Sequence, residues 1–277
     1  MKRNKDYQHF KEELLAWFNK MQRDLPWRRT YDPYEVWVSE IMLQQTQATR
    51  VIPYYHRFLE QYPTIHDLAM ASLADVLRLW NGLGYNSRAK RLRDAARIIA
   101  ESGWPDTPEG LQQLPGVGPY TAAAIASFAF GARVAALDTN ARRVLSRWHG
   151  EPLDGAVLRR VAEGDLAAEA GDWNQAMMDL GAMVCRPRRP SCTTCPVEPW
   201  CSGPDGYVPP PPEPRFEGSA RQLRGSIMRA LVQHPHSVDD LRRETGFATE
   251  EVVLALEDLN YEELIEQDSQ GRFQLAD

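Results

Sequence analysis

The only four cysteines of this 277-residue chain fall in one short stretch. Cys185, Cys192, Cys195 and Cys201 are spaced C-x6-C-x2-C-x5-C within MVCRPRRPSCTTCPVEPWC. Four thiolates in so short a loop can enclose one tetrahedral ion or one cubane cluster. Disulfides are disfavoured, because the N-terminus MKRNKDYQHFKEELLAWF shows no secretion signal and cytosolic thiols stay reduced. Structural zinc usually takes two tight Cys-x2-Cys hairpins, and only one is present. A lopsided loop carrying Pro187, Pro190, Pro196 and Pro199 suits a four-cysteine iron–sulfur cluster better.

Two carboxylates could act on a reacting centre. Glu40 stands in the apolar run VWVSEIMLQQTQ. Glu is rarely buried, so exposure on a helix face is the default. In a desolvated pocket its pKa would rise, and it could serve as a general acid near neutrality. Asp138, in AALDTNARRVLSR, reads first as the N-cap of the helix that follows. A capped, fixed carboxylate is also well placed to stabilise a cation. Gln44 and Gln45 read as solvated helix residues or as amides that wedge into a base stack. The run Leu114-Pro115-Gly116-Val117-Gly118 is either a plain helix–helix turn or a turn that aims backbone N–H groups at a phosphate.

The elements that must position these groups are nearly all helical. Apolar residues Leu14, Leu15, Trp17 and Phe18 mark a helix over 11–21. Asp32 and Pro33 open a second, expected to run through YEVWVSEIMLQQTQ. Helices follow near 51–62, 65–71, 73–79, 87–101, 108–114, 121–130, 140–148, 158–170 and 174–183. The proline run Pro209–Pro212 with Pro214 reads as a stiff linker. After it come three helices and a hairpin turning at Gly271, the order of a winged helix. No apolar run approaches the ~20 residues of a membrane span, and a cytoplasmic, nucleoid-associated protein is expected. The net charge of −6 is uneven. From Glu217 onward six Lys+Arg face thirteen Asp+Glu, a net of −7, which leaves 1–216 at +1 and free to present a basic face.

Together the segments LPWR (25–28), PYEVWVSEIMLQQTQ (33–47), LWNGLGYNSRAKRL (79–92), LPGVGPYTAAAI (114–125), LDTNARRVL (137–145) and NQAMMDLGAMVC (174–185), followed by the cysteine loop, closely resemble one family. This is the family of helix-hairpin-helix, iron–sulfur A/G-specific adenine DNA glycosylases, related to endonuclease III. The resemblance covers roughly 7–203. It implies an all-α, two-lobed helix-hairpin-helix DNA glycosylase fold. A six-helix barrel lobe over 27–132 would carry the hairpin, and an iron–sulfur lobe would combine 1–26 with 133–204. A linker over 205–216 and a winged-helix-like unit over 217–277 complete the expected domains.

The resemblance also implies roles. Glu40 matches the acid that protonates adenine. Asp138 matches the carboxylate that stabilises the sugar cation, in one form through a transient covalent bond. Tyr120 and Asn140 match residues ordering that site, and Trp27 and Arg28 match part of the base pocket. Gln45, Leu83 and Tyr85, with Gly116 and Gly118 of the hairpin, match DNA-binding positions. The four cysteines match ligands of a [4Fe–4S] cluster. The implied partner is double-stranded DNA with adenine mispaired against 8-oxoguanine or guanine, bound by a monomer. Where endonuclease III carries a nucleophilic lysine, this chain has Tyr120, so a monofunctional glycosylase is expected. A thymine or uracil glycosylase acting on G·T and G·U mismatches is the alternative enzyme. A non-catalytic iron–sulfur DNA-binding regulator is opposed by the presence of both Glu40 and Asp138. Two features depart from the family pattern. Asp138-Thr139-Asn140 replaces Asp-Gly-Asn, and the tail is too short for the usual 8-oxoguanine-reading domain.

Overall fold

A computed structural model describes residues 2–211 and 214–277. Met1, and Pro212 and Glu213 of the expected linker, lie outside the described residues. Fourteen helices and one hairpin follow in order: α1 (Lys2–Met21), α2 (Pro33–Leu43), α3 (Ala48–Gln61), α4 (Ile65–Met70), α5 (Leu73–Trp80), α6 (Ser87–Ser102), α7 (Pro108–Leu111), α8 (Pro119–Phe128), α9 (Thr139–His149), α10 (Gly155–Asp165), α11 (Ala170–Met183), α12 (Ala220–Leu231), α13 (Val238–Thr245), α14 (Thr249–Tyr261), β1 (Ile265–Gln267) and β2 (Phe273–Leu275). The architecture is all-α, as the periodicity requires. The tail has the winged-helix order, its strands antiparallel with Ile265 opposite Leu275.

By their contacts the residues form two compact units. The first comprises Met1–Glu40, Pro105–Gln113 and Val117–Pro211. Its core gathers apolar faces of α1, α9, α10 and α11 around Phe10, Leu14, Trp148 and Trp173, with the Phe10 and Trp148 rings stacked at 3.7 Å. A smaller cluster of Ala123, Ala124, Ala136 and Met178 packs beside Tyr120. Gly181 lets α11 approach α9: a Cβ there would lie 2.5 Å from the Asn140 Cβ.

The second unit comprises Ile41–Trp104, Leu114–Gly116 and Pro212–Asp277. Here α6 packs on α4 and α5, burying Leu68, Leu77, Trp80 and Leu92. Helices α12, α13 and α14 close a second cluster around Ile227, Leu241 and Leu256. The tail touches α5 through β2, and Lys90 of α6 pairs with Glu263 at 3.0 Å. No described helix is long and apolar enough to cross a membrane.

The second helix ends earlier than its sequence suggested. It stops at Leu43, and Gln44–Thr46 form a turn in which Gln45 adopts a left-handed backbone (φ 55°). Arg88, far along the chain, takes the carbonyls that a longer helix would have used.

Candidate active site

The site is built from three helix starts and one helix interior, all in the first unit. Asp32 fixes the start of α2, its Oδ1 accepting from the N–H of Tyr34 at 2.7 Å and of Glu35 at 3.3 Å. Two turns on, Glu40 is buried, only 5% exposed. Burial pushes its carboxyl up from the ordinary 4.5 to about 7; the Asp138 charge adds to the rise, while a Tyr120 hydrogen bond and the Arg28 charge oppose it. The exposed reading of Glu40 therefore gives way to the pocket reading.

Tyr120 enters from the first turn of α8, after Gly118 at the N-cap and Pro119. Its Oη donates to Glu40 Oε2 at 2.9 Å. Burial, then the neighbouring Glu40 and Asp138 charges, holds the phenol well above its usual range and so protonated. One Glu40 oxygen thus accepts from Tyr120, and Oε1 is the remaining place for an acidic proton.

Asp138 caps α9 as its position suggested: Oδ1 accepts from the Ala141 N–H at 2.7 Å. Oδ2 accepts from Asn140 Nδ2 at 2.7 Å. Burial lifts its pKa above the ordinary carboxylate range, opposed by these hydrogen bonds and the Arg143 charge. Asn140 Oδ1 accepts in turn from Arg143 at 2.7 Å, and Arg143 Nε donates to the Cys185 carbonyl at 2.6 Å. A hydrogen-bonded chain thereby ties Asp138 to the first cysteine. Thr139 is exposed, and the Asp138–Asn140 bond forms with it in place.

Trp27 is buried in the 3-10 turn Pro26–Arg28. The Arg28 guanidinium grips Asp179 in a fork, at 2.7 and 2.8 Å. Arg23 adds its Nε at 2.6 Å and its backbone N–H at 3.0 Å to the same carboxylate. Burial works against the Asp179 charge, but the bonds and charges of Arg28 and Arg23 outweigh it and hold the carboxyl below its usual range. Sequence reasoning did not single out Asp179. A charged residue inside the apolar stretch NQAMMDLGAM was the available signal.

All four cysteines are free and half-buried. Arg147 Nη1 lies 3.2 Å from the Cys185 Sγ and donates to the Arg186 carbonyl, while Nη2 donates to that of Pro187. Burial, and after it the charges of Cys185, Cys201 and Cys192, disfavours the Cys195 thiolate. Four thiols gathered in one loop form an all-sulfur donor set, which suits an iron–sulfur cluster. Among the described residues no three of His, Cys, Asp and Glu converge on a point fit for one ion. In a four-iron cluster each cysteine binds its own iron, so such convergence is not required.

Of the positions matched to DNA contact, Gln45, Leu83, Tyr85 and Gly116 belong to the second unit and Gly118 to the first. Gln45 is exposed at the end of α2, and Tyr85 (φ 50°) is 44% exposed in the turn before α6. Leu83 lies in the same turn with its side chain buried. Gly116 has φ 78° and packs under Arg91, and its carbonyl accepts from Gln44 at 3.4 Å. Gly118, in the first unit, is the N-cap of α8 and, being glycine, supplies no capping side chain of its own.

Residues 38–160 match the pattern of HhH-GPD superfamily base excision DNA repair proteins. The adenine DNA glycosylase of Mycobacterium tuberculosis is 40% identical over 95% of this chain and 92% of its own length. The chain belongs to the adenine DNA glycosylase family. The human member of that family is 48% identical over 69% of this chain and 39% of its own, longer sequence. The chain thus spans about two fifths of the mammalian adenine DNA glycosylases it matches. Among solved structures, a thermostable thymine-DNA glycosylase superposes with a TM-score of 0.69 at 32% identity, covering 74% of this chain and 99% of that one. A trapped endonuclease III–DNA covalent intermediate shares the fold, with a TM-score of 0.63 at 23% identity over 74% of this chain and 97% of that one. The adenine DNA glycosylase family therefore carries here the helix-hairpin-helix fold that the ordered motifs implied.

Proposed function

We propose that this chain is a monofunctional glycosylase that removes adenine mispaired with 8-oxoguanine or guanine in double-stranded DNA. The observation that carries the reading is the buried Glu40 carboxyl, hydrogen-bonded by Tyr120 and set against the capped carboxylate Asp138. A stacked base is unreachable, so the adenine is first extruded. Gln45 and Tyr85 intrude into the duplex as it leaves, and the hairpin N–H groups around Gly116 and Gly118 hold a phosphate. Arg28, fixed by Asp179, and Trp27 border the base. Protonated Glu40 gives its proton to adenine N7, and the C1′–N9 pair of electrons withdraws into the base. The sugar becomes an oxocarbenium ion facing Asp138, whose bonds from Ala141 and Asn140 favour the charged form. Water adds at C1′, and its proton restores Glu40 through solvent. Adenine and an abasic sugar are the products.

Cys185, Cys192, Cys195 and Cys201 hold the [4Fe–4S] cluster in this reading. When bound, the cluster cross-links the cysteine loop through four thiolates and supplies a one-electron couple. The protein works as a monomer on nucleoid DNA.

The direct test is single-turnover excision on duplexes containing A·8-oxoguanine, A·G, A·C, G·T and G·U. Release of adenine, fastest from A·8-oxoguanine, is the expected result, with strand breaks appearing only after alkali. Preferential release of thymine or uracil would favour the thymine or uracil glycosylase reading, and no release from any duplex would refute both.

A further inference from the structure

Two turns of the second unit hold bulky residues in a conformation they avoid. Gln45 (φ 55°) and Tyr85 (φ 50°) are two of the three non-glycine residues with positive φ among the described residues, and Gly82 and Gly84 flank Leu83 in the same region. Side chains with a Cβ are penalised there, so such residues persist only where their surroundings over-determine them. One side chain lies against both turns. Arg88, 7% exposed, donates from Nη1 to the carbonyls of Ile41 at 2.8 Å, Met42 at 3.1 Å and Gln44 at 2.6 Å. Nη2 donates to Thr46 Oγ1 at 3.3 Å and to the Gly84 carbonyl at 3.0 Å, and Nε to that of Tyr85 at 3.4 Å. The guanidinium also lies 5.3 Å from the Trp80 ring centroid and 5.5 Å from that of Tyr85.

These partners share a feature. They are carbonyls, one hydroxyl and two ring faces; among the described residues no carboxylate pairs with Arg88. A buried cation without a counter-ion is costly. Its charge is met by the last carbonyls of α2, which have no helical partner and carry the negative end of the helix dipole. Arg88 thus ends α2 at the point where the turn bearing Gln45 begins, and the same fork holds the turn bearing Tyr85. The compact ammonium of a lysine could not span both.

We propose that Arg88 is the positioning residue of the duplex-intruding wedge, locking the Gln45 and Tyr85 turns into one preformed element before DNA is bound. The proposal rests on the reading of Gln45 and Tyr85 as intruding residues. It assigns Arg88 no contact with the reacting atoms. Preforming the wedge spares the ordering of two strained turns while the base is being extruded.

The test follows base unstacking by the fluorescence of 2-aminopurine placed beside adenine in an A·8-oxoguanine duplex, with excision measured under single turnover. Full-length, cluster-loaded protein is used throughout. Gln45→Ala and Tyr85→Ala should each slow unstacking; if neither does, the wedge reading fails and the proposal with it. Arg88→Lys should slow unstacking and excision together by about tenfold, as misplaced positioning groups do. Adding Gln45→Ala to Arg88→Lys should cause little further loss, because both act through one element. If the Gln45 and Tyr85 variants are slow while Arg88→Lys matches wild type, or if the Arg88 and Gln45 losses multiply independently, Arg88 is not the positioning residue. Should Arg88→Lys not fold, Thr46→Val removes one acceptor from the rim of the same network. It should slow unstacking about twofold or more, and an unchanged rate would overturn the proposal.

Discussion

The Tyr120 hydroxyl and the Glu40 carboxyl form a 2.9 Å hydrogen bond between the first turn of α8 and the interior of α2. Burial raises the carboxyl and that bond opposes the rise, leaving its pKa at about 7. An acid with a pKa near the working pH is the most effective proton donor. Excision should therefore be fastest on the acid side and fall as pH rises through about 7. Tyr120→Phe removes the stabilising donor, so Glu40 holds its proton longer. The falling limb of the single-turnover pH profile should move to higher pH in this variant. A limb that stays fixed would mean that another group titrates.

The same carboxyl makes stability depend on pH. Its folded pKa of about 7 stands above the ordinary 4.5, so the folded state binds the proton more tightly than the unfolded state. The contribution is complete below about 4.5 and is lost as pH rises through about 7, a span of up to about 3 kcal/mol. Glu40→Gln has no such loss. Thermal unfolding should show the variant gaining on wild type between pH 5 and pH 8, and a pH-independent difference would contradict the burial argument.

Asp179 is completely buried and answers two arginines. Asp179→Asn keeps the shape but leaves Arg23 and Arg28 without their counter-charge. Breaking a buried pair in this way costs about 3–5 kcal/mol. Denaturant unfolding should register that loss, and excision should fall as Arg28 loses its anchor. A variant within about 0.5 kcal/mol of wild type, the range of an ordinary surface change, would show that the pair is not structural.

Gly181 is tested by adding one methyl group. The new Cβ would meet the Asn140 Cβ at 2.5 Å and the Arg143 Nη2 at 3.2 Å. Gly181→Ala should therefore destabilise by about 1–3 kcal/mol and displace Asn140 from Asp138. Excision should drop by more than the fraction unfolded explains. Unchanged excision would show that α9 can shift without disturbing the carboxylate.

Much of this architecture could be read in the sequence because it is local. Asp32-Pro33 and Asp138 announced helix starts, and the structure places both as caps. The cysteine spacing gathers four thiols into one loop, and the structure keeps all four free and half-buried there. What could not be read depends on distant partners. Glu40 looks solvated by residue type, and only the packing of α2 buries it. The pattern carries the second helix on through QQTQ, because its terminator, Arg88, comes forty-odd positions later and acts through backbone carbonyls that leave no mark in the pattern. Asp179 resembles any polar helix residue until Arg23 and Arg28, about 150 residues earlier, reach it. The acidity of the tail was countable, but its Glu263 contact with Lys90 was not.

The central claim is that Glu40 is the proton donor, and one substitution tests it most directly. Glu40→Gln preserves volume and can still accept from Tyr120, but it carries no acidic proton. Single-turnover excision of adenine from an A·8-oxoguanine duplex at pH 6 should fall by at least about 10²-fold, with duplex affinity retained. A Glu40→Gln protein that binds the duplex and releases adenine at the wild-type rate would contradict the account.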